Sequence, residues 1–179
     1  MTYTDFVKTV ESTSWHQPNE RLLHAAMGLC TETAELFEID NEQHQLEELG
    51  DICWYLALGL DAIGHSFEAV PLLETEDFLN KVRGEDPGQA LVIYSSDLLD
   101  MVKKQVFYGR EIDTTKAVDA FVMIKNVLIH GMVAIDLDYD IDAVVAANIK
   151  KLTARFPEKF SEDAANNRDV KAEYAAMNR

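Results

Sequence analysis

The chain carries two acidic pairs, Glu32-Thr-Ala-Glu35 and Glu48-Leu-Gly-Asp51, set in otherwise apolar helical sequence and separated by 12 residues. Residues three apart project from nearly the same helix face, so each pair aims two carboxylates one way. Their neighbours on those faces are apolar: Leu29 and Leu36 beside the first pair, Ile52 and Tyr55 beside the second. One such pair is ordinarily a solvated face. Two pairs on consecutive helices joined by a short turn are a stronger constraint, because turning both apolar faces inward makes four carboxylates converge. Like charges at short range and low dielectric persist only with protons or a cation among them. An all-oxygen donor set suits hard divalent ions, Mg²⁺ first and Mn²⁺ second. Residues 49–60 hold a single charge, Asp51, so that helix is expected to be mostly buried and its carboxylate to need a partner.

Helical periodicity runs through the chain and strand alternation is nearly absent, which predicts an all-α helical bundle. The spacing predicts helices over residues 4–12 with Thr4 as cap, 18–37 opening on Pro18, and 43–63 closed by Gly64. Further helices are expected over 89–107, over 114–135 capped by Thr114 or Thr115, and over 141–154 capped by Asp140. Residues 66–88 read as a weak stretch ending in a loop at 83–88. The polar tail, 161–179, is expected to carry a short helix over 162–177 that packs on a partner or frays. Setting residues 49–63 against 121–135 aligns Ile52 with Ile124, Leu56 with Leu128, Gly59 with Gly131 and Ile63 with Ile135. Ala120 and Met123 then stand where the first copy has Glu48 and Asp51. Residues 66–138 thus read as an insertion or a degenerate second helical repeat within one domain spanning 1–179.

The balance of 16 basic against 32 acidic residues, a formal charge of −16, argues against binding a nucleic-acid polymer, which calls for a basic patch. Small phosphorylated ligands remain open, because bound cations invert the local field. Cys30 and Cys53 lie in apolar helical sequence without a Cys-x-x-Cys or His-rich motif. They are expected to be small core residues in a reducing compartment, not a disulfide or zinc site. The start lacks a signal-peptide pattern, and the longest apolar run, 52–60, is too short to span a bilayer. A soluble, cytoplasmic protein without membrane contact is the expectation.

Three segments carry a resemblance. Leu-Leu-His-Ala-Ala-Met-Gly-Leu-Cys-Thr-Glu-Thr-Ala-Glu-Leu (22–36) followed by Glu-Glu-Leu-Gly-Asp-Ile-Cys-Trp-Tyr-Leu (47–56) resembles the E-x-x-E, spacer, E-x-x-D signature of the MazG-type all-α nucleoside triphosphate pyrophosphohydrolases. That superfamily also holds the dimeric dUTPases and phosphoribosyl-ATP pyrophosphohydrolases. Ala-Asn-Ile-Lys-Lys-Leu-Thr-Ala-Arg-Phe-Pro-Glu-Lys-Phe (147–160) is similar to the segment after the last core helix in these proteins. The chain departs from the short family pattern by the interposed residues 66–138. Within them, 97–109 resembles the stretch other members carry between their acidic motifs.

The resemblance implies Mg²⁺-dependent cleavage of a (d)NTP between the α- and β-phosphates, giving the monophosphate and pyrophosphate. Glu32, Glu35, Glu48 and Asp51 would be the metal-binding and catalytic residues, with Glu32 or Glu35 taking the proton of the attacking water. Asn148, Lys151 and Arg155 are the first candidates for phosphate contact; Lys103, Lys104, Tyr108 and Arg110 form a second group. Glu38 and Glu47 are expected in solvent, His24 and Trp54 in the core, and Trp15 is a candidate for stacking on a base. A homodimer or homotetramer is implied. A dUTP-specific member and, from another class, a non-catalytic acidic helical interaction protein are the rival readings.

Overall fold

The apolar stripes of the sequence are satisfied by pairing helices into two long hairpins. The computed structural model describes residues 1–11, 19–38, 41–82, 86–134 and 140–178, with side chains throughout these except at 132–134. In the first hairpin α2 (Glu20–Glu38) packs along α3 (Glu42–Ala62); in the second α5 (Pro87–Tyr108) packs along α6 (Thr114–Ala134), and α2 lies against α5. Helix α1 (Tyr3–Val10) crosses onto α3, as does α7 (Ile141–Arg155), which also packs on α9 (Val170–Met177) and touches α1. The short α4 (Thr75–Val82) and α8 (Glu162–Asn166) complete the order. The all-α expectation holds, with no strand among the described residues. No described helix is long and apolar enough to cross a membrane.

Caps account for most of the helix starts. Thr2 and Asp5 form a reciprocal capping box on α1, each side chain accepting from the other's backbone N–H at 3.1 and 3.2 Å. Thr4, expected to be that cap, is instead buried: its hydroxyl donates to Glu68 at 2.7 Å and accepts from the Phe67 N–H at 3.0 Å. Asp113, rather than Thr114 or Thr115, caps α6 by accepting from the Lys116 N–H at 3.1 Å. Asp140 caps α7 as expected. Pro87 occupies the first turn of α5 behind the cap Asp86, and Gly109 ends it in the left-handed region at φ 63°.

Two segments correct the sequence reading. Residues 75–82, within the stretch that read as weak and was given no helix, are α4, an eight-residue helix too short to show periodicity in a longer window; it buries Phe78, stacked on His130 at 4.3 Å, and Val82. The tail, expected to pack on a partner or fray, docks within its own chain. It forms α8 and α9, and α9 packs on α7 of the same chain with Met177 buried. Pro18, Trp15, the loop positions 83–85 and Ile135 lie outside the described residues.

Helix α3 is the central element, covered by α1, α2, α6 and α7. Ile52, Cys53, Leu56, Ala57 and Leu60 lose all solvent contact, and Cys53 is a free thiol that burial pushes up to about 12. Ile124 and Leu128, aligned above with Ile52 and Leu56, are buried likewise, as are Ala120 and Met123. The α3–α6 crossing depends on Gly59, where a Cβ would stand 2.5 Å from Phe121 Cζ and 3.2 Å from the Ala25 methyl. Phe121 is fully buried and has nowhere to retreat. Gly59→Ala is therefore expected to destabilise the fold by about 1–3 kcal/mol through overpacking. Its thermal midpoint should drop in a circular-dichroism melt; an unchanged midpoint would contradict this packing.

Candidate metal centre and the cavity beside it

The hairpin α2–α3 brings Glu32, Glu48 and Asp51 together, with one oxygen from each lying within 4.8 Å of the others. Glu35 does not join them. It is exposed at the edge of the same cavity. Three residues turn a helix through about 300°, which leaves Glu35 about 60° round α2 from Glu32. The same offset separates Glu48 from Asp51, but α3 is flanked by α2 on one side and α7 on the other, so both remain inside.

These carboxyls crowd one another. Burial, the hydrogen bond shared with Glu32 and the charge of Asp51 push the Glu48 carboxyl up to about 8. Burial and the Asp51 charge likewise raise Glu32, whose Oε1 accepts from the Thr31 hydroxyl at 3.1 Å. Without a cation the pair retains a proton that isolated glutamates would have lost.

Asp51 is held differently. Lys151 Nζ sits 2.6 and 2.5 Å from its two oxygens, and Asn148 Nδ2 donates to Oδ1 at 3.0 Å. Asn148 Oδ1 in turn accepts from the Tyr3 hydroxyl at 2.7 Å, so α1 and α7 jointly orient a carboxylate on α3. Lys151 has no exposed surface. The structure thus corrects the placement expected for Asn148 and Lys151: neither lines the cavity, and both are committed to Asp51.

Glu47 is the second correction. Expected in solvent, it is 6% exposed, because the α3 face that carries it is covered by α7 and the tail. Lys151 approaches its Oε1 at 3.5 Å and Arg168 Nη2 at 2.5 Å, while the Tyr174 hydroxyl donates to Oε2 at 2.7 Å. Burial alone would raise its carboxyl; Lys151, Tyr174 and Arg168 outweigh that and hold it below the ordinary value. Glu38 is exposed as expected.

Arg155 reaches the cavity, but through a partner the sequence reading missed. Its Nε and Nη2 donate to the two oxygens of Glu173 at 2.9 and 2.6 Å, and Arg168 Nη2 adds a third bond at 2.8 Å. Arg168, Glu173 and Tyr174 all belong to the polar tail. The detectable signal was Val170, Tyr174 and Met177, an apolar stripe at i, i+4 and i+7.

Lys103, Lys104 and Tyr108 are not brought here. Lys103 pairs with Asp100 one turn back on α5 at 2.6 Å, Lys104 pairs with the same carboxylate, Tyr108 is exposed, and none of the three lines the cavity. The cavity, about 720 Å³, is lined by Glu32, Glu35, Glu48 and Asp51, by the further carboxylates Glu11, Glu20 and Glu47, and by Arg155 and Arg168. Its remaining wall is largely apolar, including Met27, Trp54, Tyr55 and Phe156. His24, expected in the core, stands in this wall with its ring edge-on to Tyr55 at 5.2 Å, and Trp54 is only half-buried.

No protein-family model, curated protein or solved structure matches the chain.

The raised Glu48 carboxyl sets a pH dependence in the metal-free protein. Between the ordinary value of 4.5 and about 8, the folded state keeps a proton that the unfolded chain releases, so stability falls as pH rises through that window. Melts in chelator should show the midpoint declining from about pH 5 to about pH 8, and Glu48→Gln should flatten the decline. A wild-type midpoint that stays level or rises there would show that the carboxyls are not crowded as described.

Proposed function

We propose that the protein is a Mg²⁺-dependent nucleoside triphosphate pyrophosphohydrolase, splitting a (d)NTP between its α- and β-phosphates into the monophosphate and pyrophosphate. The observation that carries this reading is the convergence of Glu32, Glu48 and Asp51 beside a nucleotide-sized cavity. The resemblance of residues 22–36 and 47–56 to the acidic motifs of the MazG-type enzymes supports it.

The donor set fits the ion. All three ligand atoms are carboxylate oxygens, and the crowding that protonates Glu48 is what a hard divalent cation relieves. Bound there, Mg²⁺ or Mn²⁺ would neutralise phosphate charge and acidify a nearby water. Glu32, Glu48 and Asp51 would hold it, with Asn148 and Lys151 keeping Asp51 in position. Glu35, at the cavity edge with no ion pair among the described residues, is the carboxylate available to accept a proton from the attacking water. The wall formed by Tyr55, Trp54 and Met27 gives a nucleobase an apolar seat. Phe37 and Phe107, both more than half exposed, suit contact with a second copy of the chain.

The test is incubation with Mg²⁺ and each common NTP and dNTP, together with dUTP and dITP, in ¹⁸O-labelled water. The products should be monophosphate carrying the label and unlabelled pyrophosphate, with no diphosphate. Glu48→Gln and Asp51→Asn should each lower turnover about 100-fold or more. Label in pyrophosphate, absence of turnover on every nucleotide, or near-normal activity in both variants would overturn the proposal.

A further inference from the structure

With Lys151 committed to Asp51, and Lys103 and Lys104 outside the cavity, a polyanion seated beside the carboxylates must find its cations elsewhere. Two guanidinium groups line the cavity, Arg155 on α7 and Arg168 on the segment between α8 and α9. Behind them stands Glu173, 1% exposed and not part of the cavity wall. It engages Arg155 through Nε and Nη2 and Arg168 through Nη2, while Glu47 also takes Arg168 Nη2. A guanidinium has five N–H donors in a rigid fork. Among the described residues, Nη1 of Arg155 and both Nε and Nη1 of Arg168 are therefore left without a protein acceptor. Arg168 is the more open of the two, its side chain 36% exposed against 14% for Arg155. A hidden carboxylate thus braces two arginines that both line the cavity.

We propose that Arg168, braced together with Arg155 on Glu173, is an anion-binding group that takes a di- or triphosphate tail. The identification of that tail with the leaving pyrophosphate of a nucleotide rests on the function proposed above; the anion site itself does not. Its charge balance is suited to an exchangeable ligand. Lys151, Arg155 and Arg168 offset Asp51, Glu47 and Glu173, so the empty network is neutral and persists without an anion. Charge-assisted bonds to the unused donors then form only when phosphate arrives. Glu173 belongs to α9, so the folded tail is what builds this site.

The probe is inorganic pyrophosphate, titrated calorimetrically with excess Mg²⁺ and again in chelator. Arg168→Met is expected to fold, because Arg155 still holds Glu173, and Lys151 and Tyr174 still hold Glu47. It should weaken binding of pyrophosphate and of an α,β-methylene nucleoside triphosphate by about tenfold or more, and of the nucleoside monophosphate by less than about twofold. The melting shift given by Mg²⁺ alone should be unchanged. Arg168→Lys keeps the charge and loses the fork, and should show an intermediate loss; it decides the matter should the methionine variant not fold. Failure of pyrophosphate to bind the wild type, affinity within about twofold of wild type in a folded variant, or an equal loss for the monophosphate would overturn the proposal. Wild-type hydrolysis is scored separately. Arg168-dependent pyrophosphate binding without turnover refutes the enzyme reading alone, and turnover without that dependence refutes this inference alone.

Discussion

The buried ammonium of Lys151 against Asp51 is the interaction on which the site depends. Glu32 and Glu48 already crowd each other enough to retain a proton, and a third carboxylate at their side would add a further repulsion. Lys151, fully enclosed, supplies a compensating charge where solvent cannot. Removing one member of such a pair strands the other in a low-dielectric setting, a penalty of about 3–5 kcal/mol. The same ammonium reaches Glu47, and from there the network runs through Arg168 to Glu173 and Arg155. Helix α3 therefore presents the crowded Glu48 carboxyl toward α2 and the charge-compensated Glu47 and Asp51 toward α7.

That division explains why the tail matters. Helix α9 contributes little apolar surface, with Met177 its one buried hydrophobic side chain. Its placement follows instead from Glu173 and Tyr174 meeting groups on α7, on α3 and in the segment before it. A buried ion-pair network adds little net stability over well-packed apolar side chains of similar volume. Here it brings Arg168 to the cavity that opens over the carboxylates.

Much of the fold was legible because it rests on helix periodicity. The long helices, the Asp140 cap and the close of α5 at Gly109 follow from local rules, and the acidic pairs announced their convergence through the apolar residues around them. Partners were less legible. The spacing of Asn148, Lys151 and Arg155 places all three on one face of α7 but does not say what that face meets, and it meets α3 and Glu173 rather than open space. Glu47 looked solvent-bound because it sits 100° round the helix from Glu48, a reasonable inference for a helix covered on one side only. Helix α3 is covered on both. Glu35 shows the converse limit: a spacing of three allows a shared face without ensuring a shared point.

The central claim is that Glu32, Glu48 and Asp51 form one divalent-cation site of oxygen donors. Diffraction at the manganese absorption edge, from crystals grown with Mn²⁺, tests it most directly. An anomalous peak is expected within bonding reach of all three carboxylates, with Lys151 still paired to Asp51 and no peak at Cys30 or Cys53. A peak elsewhere, or none beside Glu48, would contradict it.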